Sequence, residues 1–124
     1  MKLLIVDDSV IVREILKDSL SEVEGIEIAG EASNASEAVE MIRRLRPDVV
    51  LLDFKMPDGN GLSVLKEIRS EKLSPLVLMF TNYPHLQYRD ACLDAGAHYF
   101  FDKSIDFDKV IEVLEQTARP LRRD

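Results

Sequence analysis

A single cysteine, Cys92, is all the thiol chemistry in this 124-residue chain. That excludes an intrachain disulfide and any multi-cysteine metal site. No apolar run approaches the roughly 18 residues of a membrane span. The N-terminal run Leu3–Val6 is cut off by Asp7 and Asp8, which does not read as a secretory leader. Basic residues are in deficit, 16 against 23 acidic, for a net charge of −7. That balance disfavours a protein that grips a phosphate backbone. Internal repeats and low-complexity tracts are absent too. What is present is an ordinary soluble mixture, 46% apolar and 31% charged, on a chain long enough for one core-bearing domain spanning residues 1–124. The expected setting is a reducing cytoplasm. Cys92 reads as helix packing, and the isolated His85 and His98 as structural or surface residues.

The stretch Pro47–Gly61 organises the rest. It begins with Val49-Val50-Leu51-Leu52, a short run without polar alternation that reads as a strand buried on both faces. Asp53 stands at its C-terminal end. Met56-Pro57-Asp58-Gly59-Asn60-Gly61 then breaks the chain into a turn before the next helix. Parallel α/β sheets place their chemistry at such strand ends.

In chain order, Lys2–Asp7 predicts a first strand buried on both faces. A helix follows, capped by Asp8 or Ser9; Val12, Ile15, Leu16, Leu20 and Val23 keep helical spacing, and Gly25 stops it. Ile26–Ala29 alternates and predicts a half-exposed edge strand. Ser33 or Asn34 caps a second helix with Ala38, Val39, Ile42 and Leu45 on one face. After the Pro47–Gly61 stretch, Leu62, Leu65 and Ile68 mark a third helix, and Leu76–Phe80 a fourth strand closed by Thr81-Asn82. Pro84 suits the first turn of a fourth helix, the least clearly patterned, which Gly96 ends. His98–Phe101 predicts an aromatic fifth strand. Asp106 caps a last helix with Val110, Ile111 and Leu114 inward, and residues 119–124 form a polar tail. Five strands alternating with five helices predict a doubly wound α/β fold: a five-stranded parallel sheet, helices on both faces, flavodoxin-like order 2-1-3-4-5.

That order gathers the strand ends on one rim. Strand one delivers Asp7 and Asp8, strand three Asp53, strand four Thr81, and strand five is followed by Lys103. Taken singly, each has a plain explanation: Asp8 as a helix cap, Thr81 as a strand-end hydroxyl, Lys103 as a loop cation. Together they are hard to explain that way. Clustered carboxylates repel unless a cation joins them, and an all-oxygen set suits Mg²⁺ or Mn²⁺ rather than zinc. A divalent cation, an ammonium and a hydroxyl would receive phosphoryl oxygens around a carboxylate nucleophile.

Through Val6-Asp7-Asp8-Ser9, Leu52–Gly61, Phe80-Thr81-Asn82 and Ala95-Gly96-Ala97 through to Lys103, essentially the whole chain resembles the receiver domain of a bacterial two-component response regulator, in a stand-alone, chemotaxis-regulator-like form. The resemblance implies Asp53 as phosphoacceptor, Asp7 and Asp8 as the acidic pair for Mg²⁺, the Lys55 backbone carbonyl as a further metal ligand, and Lys103 as the phosphoryl-binding cation. Thr81 and Phe100 are implied as the switch pair. It implies a histidine kinase or phosphotransfer protein as donor and a downstream protein as target. The output face would be formed by the fourth helix, fifth strand and fifth helix. No direct nucleic-acid contact, no membrane contact, no output domain and a monomer or weak dimer are expected. Lys55 and Tyr83 flank the path of an attacking water in the family's geometry.

Two departures stand out. Receivers usually follow the lysine with proline, often through a cis bond; here Ser104 follows, and a cis bond without proline costs about 2.5–4 kcal/mol, so the geometry of that loop is open. The switch aromatic is Phe100, which has no hydroxyl. Rival readings are weaker. A phosphatase or phosphotransferase working through an aspartyl phosphate usually carries Asp-x-Asp, and Asp53-Phe54-Lys55 lacks the second acid. A flavin module would meet an acidic loop after strand one. The trimmed receiver of a DNA-binding regulator stays open.

Overall fold

The computed structural model describes residues 1–119; the expected polar tail lies, beyond Arg119, outside the described residues. Five strands, β1 (Lys2–Val6), β2 (Glu27–Ala32), β3 (Val49–Leu52), β4 (Leu76–Thr81) and β5 (Tyr99–Asp102), form one sheet. Every pairing in it is parallel, in the order β2-β1-β3-β4-β5. Helices α1 (Val10–Leu20), α2 (Ala35–Leu45), α3 (Gly61–Ser70), α4 (Leu86–Asp94) and α5 (Phe107–Ala118) connect or follow them. A two-stranded antiparallel ribbon, Lys55–Met56 with Gly59–Asn60, is set into the connection from β3 to α3.

Strand alternation sorts the core into two layers. Leu3, Ile5, Val49, Leu51, Leu78 and Phe80 pack with Leu16 and Leu20 of α1 and Val110 and Leu114 of α5. Leu4, Val6, Val50, Leu52, Val77 and Met79 pack with α2, α3 and Cys92 of α4. β3 is buried along its whole length, which is why its sequence does not alternate. Each fully buried Leu or Ile contributes roughly 1.5–3 kcal/mol of transfer free energy.

Several local expectations need correction. α1 ends at Leu20 rather than running to Gly25. Val23 reaches the core from the turn beyond it, and Ile15 is 48% exposed. Ser9, not Asp8, caps α1, its Oγ accepting from the Val12 N–H at 3.2 Å. β2 continues past Ala29 to Ala32, because β1 offers pairing partners up to Val6. Pro84 precedes the His85 cap instead of opening α4. Asp106 occupies the cap position of α5, but its carboxylate accepts from the Asp102 N–H instead of the helix. Every peptide among the described residues is trans, Lys103–Ser104 included. The Ser104 N–H and Oγ–H both donate to Asp102 Oδ1, at 2.8 and 2.7 Å. Side-chain bonding thus shapes the loop where a proline is absent.

Candidate functional site

The C-terminal ends of β1, β3 and β4 and the residue after β5 meet at one edge of the sheet. Parallel register does this: the Asp53 N–H extends the β1–β3 ladder to the Val6 carbonyl (3.0 Å), and the Lys103 N–H extends the β4–β5 ladder to the Thr81 carbonyl (2.9 Å). Asp7, Asp53 and Thr81 are the buried polar residues of the described chain, at 2%, 6% and 0% exposure. Asp8 is exposed. Each of Asp7, Asp8 and Asp53 offers a carboxylate oxygen within 4.8 Å of the others. All five expected strand-end side chains therefore reach this rim.

Lys103 ties the cluster together. Its Nζ bridges Asp7 Oδ2 and Asp53 Oδ2, the latter at 3.0 Å. Burial pulls the lysine pKa down, but the hydrogen bond to Asp7 and the charge of Asp53 outweigh it, and the net shift is upward. Asp53 moves up as well: burial dominates over the opposing pull of Lys103. Asp7 Oδ1 accepts the Ser9 N–H at 2.9 Å. Asp8 has no side-chain hydrogen bond or ion pair among the described residues. Asp53 Oδ1 is buried and has no hydrogen-bond partner within bonding distance among the described residues. A buried carboxylate oxygen left bare is costly, and it fits a site meant to receive a cation or an electrophile. The donor set, all oxygen and anionic, suits a hard divalent ion.

The cavity over this cluster has a volume of about 420 Å³ and is lined by Asp7, Asp8, Asp53, Lys55, Tyr83 and Lys103 among others. The response regulator receiver domain family matches residues 3–115. This chain belongs to that family. The receiver is 34% identical over 118 residues to the chemotaxis protein CheY of Thermotoga maritima, covering 95% of this chain and 98% of that one. It is 39% identical over 124 residues to a protein-glutamate methylesterase/protein-glutamine glutaminase of Alkalilimnicola ehrlichii, covering 98% of this chain but 31% of that protein. The chain thus spans about a third of that relative's length. Among solved structures, the response regulator domain of Thermotoga maritima CheB superposes with TM-score 0.84 at 31% identity, covering 96% and 93% of the two chains. A chain of the CheX–CheY–BeF3–Mg²⁺ complex from Borrelia burgdorferi does so with TM-score 0.86 at 30% identity, covering 97% and 90%. Receivers are phosphorylation-dependent signalling switches of two-component systems that bind Mg²⁺ through an acidic pocket.

In this receiver the residues two positions after Asp53 and Thr81 face each other. Lys55 Nζ sits 5.1 Å from the Tyr83 ring centroid, a cation–π pair beside the cavity. Phe54 stacks on Tyr88 of α4 with centroids 4.4 Å apart. Phe100 is half-buried on the α4 side of the sheet, in register with Met79. Tyr99, 39% exposed, stacks on Phe101, which packs with the α1–α5 layer. Adjacent strand residues point to opposite faces, so the two rings flanking Phe100 share the other side.

Two supporting residues escaped the sequence reading. Arg13 donates from Nη1 to the Asp7 carbonyl (2.5 Å) and from Nε to Glu31 Oε1 (3.0 Å), tying α1 to β1 and β2. A signal was available: helical side chains lean toward the N-terminus, which carries a residue of the first turn back over the strand end. Asp58 is the other, and nothing local in the sequence marks its partners.

Proposed function

We propose that Asp53 is the phosphoacceptor of a stand-alone signalling receiver, taking its phosphoryl group from a histidine kinase or phosphotransfer protein. The observation that carries this reading is the unequal state of the two Asp53 oxygens. Lys103 holds Oδ2, while Oδ1 is buried and has no hydrogen-bond partner among the described residues. Asp53 lines the cavity, and a carboxylate oxygen not already committed to a donor is the nucleophile that in-line transfer needs. As it bonds to phosphorus, the donor imidazole nitrogen departs with the former P–N pair. Asp7, Asp8, Asp53 and the Lys55 carbonyl would hold Mg²⁺ (or Mn²⁺), which when bound offsets negative charge on the phosphoryl oxygens. Lys103 keeps its ammonium charge at neutral pH and is placed to follow the new anion. The Thr81 Oγ, now accepting from the Tyr83 N–H at 3.1 Å, would turn toward the phosphoryl group. A small phosphodonor with Mg²⁺, followed by intact mass and peptide mapping, tests the acceptor; a gain mapping to any other residue overturns it.

The chain then acts through protein contact in the cytoplasm, as a monomer or weak dimer, and catalyses nothing beyond its own phosphorylation and dephosphorylation. A second reading, the receiver module of a longer regulator, is favoured by the greater length of relatives such as the methylesterase. In either case the net charge of −7 favours a protein target over direct nucleic-acid contact.

Signal output runs through α4, β5 and α5. Phe100 has no hydroxyl, so only packing distinguishes its two states, and a ligand-driven shift requires different contacts in each. Phosphorylation is expected to bias Phe100 inward as Thr81 moves. Amide NMR with and without beryllofluoride and Mg²⁺ should show shifts both around Asp53 and across residues 84–118. Shifts confined to the Asp53 pocket would rule out this face.

Lys55 and Tyr83 should prolong the phosphorylated state. Their cation–π pair lines the cavity and would hinder an attacking water. The double variant Lys55→Ala/Tyr83→Ala is expected to lose its phosphoryl group several-fold faster, on the order of 1 kcal/mol in the barrier. Decay of the intact-mass signal after donor removal measures it. An unchanged half-life would mean these side chains do not screen the phosphoryl group.

A further inference from the structure

We propose that Asp58 is a positioning residue for the metal-binding loop, clamping the turn of the Lys55–Asn60 ribbon to the N-terminus of α2. The proposal rests on the reading of Lys55 as a carbonyl ligand. Asp58 Oδ1 accepts the Ala35 N–H at 2.7 Å and Oδ2 accepts the Ser36 N–H at 3.1 Å, across 23 and 22 residues of sequence. These are first-turn amides, which an α-helix leaves without internal partners. The next amide, Glu37 N–H, goes to the Asn34 side chain at 2.8 Å. The first turn of α2 is thus capped jointly by its own Asn34 and by an acid borrowed from the acceptor loop. The charge also suits a helix N-terminus, and the two amides hold the Asp58 carboxyl below the usual carboxylate range.

The loop needs such an anchor. Its base is closed by the Gly61 N–H to the Phe54 carbonyl at 2.6 Å. A Cβ at Gly61 would lie 2.7 Å from the Asp53 carbonyl oxygen, so the two ends of the loop run in close approach there. Between base and tip, the ribbon has two pairs of residues in register, Lys55 with Asn60 and Met56 with Gly59. A ribbon that short has little stability of its own. With its tip fixed by Asp58 and its base by Gly61, the ribbon holds Lys55 in place in the cavity it lines with Asp7, Asp8 and Asp53. Without the tip bond, a carbonyl ligand on a loose loop loses part of its affinity to ordering entropy.

The test is Mg²⁺ titration by calorimetry on the full chain, with hydrogen exchange at Ala35 and Ser36 alongside. Asp58→Ala should weaken Mg²⁺ binding about tenfold, the low end for residues that orient metal ligands. Asp58→Asn retains an acceptor for one amide and should lose less. Both should raise exchange at Ala35 and Ser36. Asp8→Ala serves as the control that removes a proposed ligand directly. Should Asp58→Ala fail to fold, Asp58→Asn alone decides. Wild-type Mg²⁺ affinity in the folded Asp58 variants, with affinity lost in Asp8→Ala, would overturn the positioning role and leave the metal reading intact. No Mg²⁺ binding by the wild type would defeat the metal reading and this inference with it.

Discussion

Incubated with a small phosphodonor and Mg²⁺, the wild-type chain is expected to gain one phosphoryl group, on Asp53, and Asp53→Asn is expected to gain none. The amide cannot act as the nucleophile, so loss should be complete within detection. The same substitution should stabilise the metal-free fold. Burial raises the Asp53 pKa even after the pull of Lys103 is counted. A group whose pKa is higher folded than unfolded contributes its full stability below the unfolded value, near 3.9 for Asp, and loses it as pH rises through the folded value. As pH rises through the folded value, charging Asp53 becomes a net cost to the fold, and Asn removes that cost. A melting temperature a few degrees above wild type is expected at pH 7, about what 1 kcal/mol produces in a domain of this size. The gain should shrink toward pH 4. Added Mg²⁺ should reverse the ranking, since a ligand stabilises only the fold that binds it. A melting temperature below wild type in the metal-free state, at pH 7, would show that the Lys103–Asp53 pair outweighs the desolvation of the acid.

Replacing Asp8 should separate metal binding from folding. Asp8 is exposed, makes no side-chain hydrogen bond or ion pair among the described residues, and leaves the cap of α1 to Ser9. Yet it brings an oxygen within 4.8 Å of both Asp7 and Asp53. Asp8→Ala is expected to weaken Mg²⁺ binding by tenfold or more, roughly 1.4 kcal/mol. Without metal, its melting temperature should equal or exceed that of the wild type, because one of three repelling carboxylates is gone. Calorimetric titration and metal-free melts give the two readings. An unchanged affinity would remove Asp8 from the ligand set, and a marked fall in stability would assign it a structural role that its surroundings do not suggest.

The strand and helix order was legible because its signals are local. A buried parallel strand such as Val49–Leu52 lacks polar alternation, and a helix repeats its apolar positions, whatever the rest of the chain does. The misplaced ends share one cause. Val23 keeps the helical spacing of Leu16 and Leu20, but the chain leaves the helix after Leu20 and brings Val23 to the same core from a turn. Hydrophobic spacing records that a residue is buried, not which backbone carries it there. β2 likewise runs on to Ala32 because β1 supplies partners, which the alternation of Ile26–Ala29 could not indicate.

By itself the sequence determined the doubly wound order and, through it, the convergence of Asp7, Asp8, Asp53, Thr81 and Lys103. Parallel strands deliver their C-terminal residues to one edge, so knowing the strands is enough to know the rim. Only the tertiary structure decided how that rim is wired. Lys103 reaches across 50 residues to hold one Asp53 oxygen, and the other has no hydrogen-bond partner among the described residues. Asp58 crosses 23 residues to cap α2, Arg13 returns to the Asp7 carbonyl, and Tyr99 and Phe101 turn away from Phe100. Each of these depends on the direction and reach of side chains from separate elements, which are set when the layers pack and leave no periodic trace along the chain.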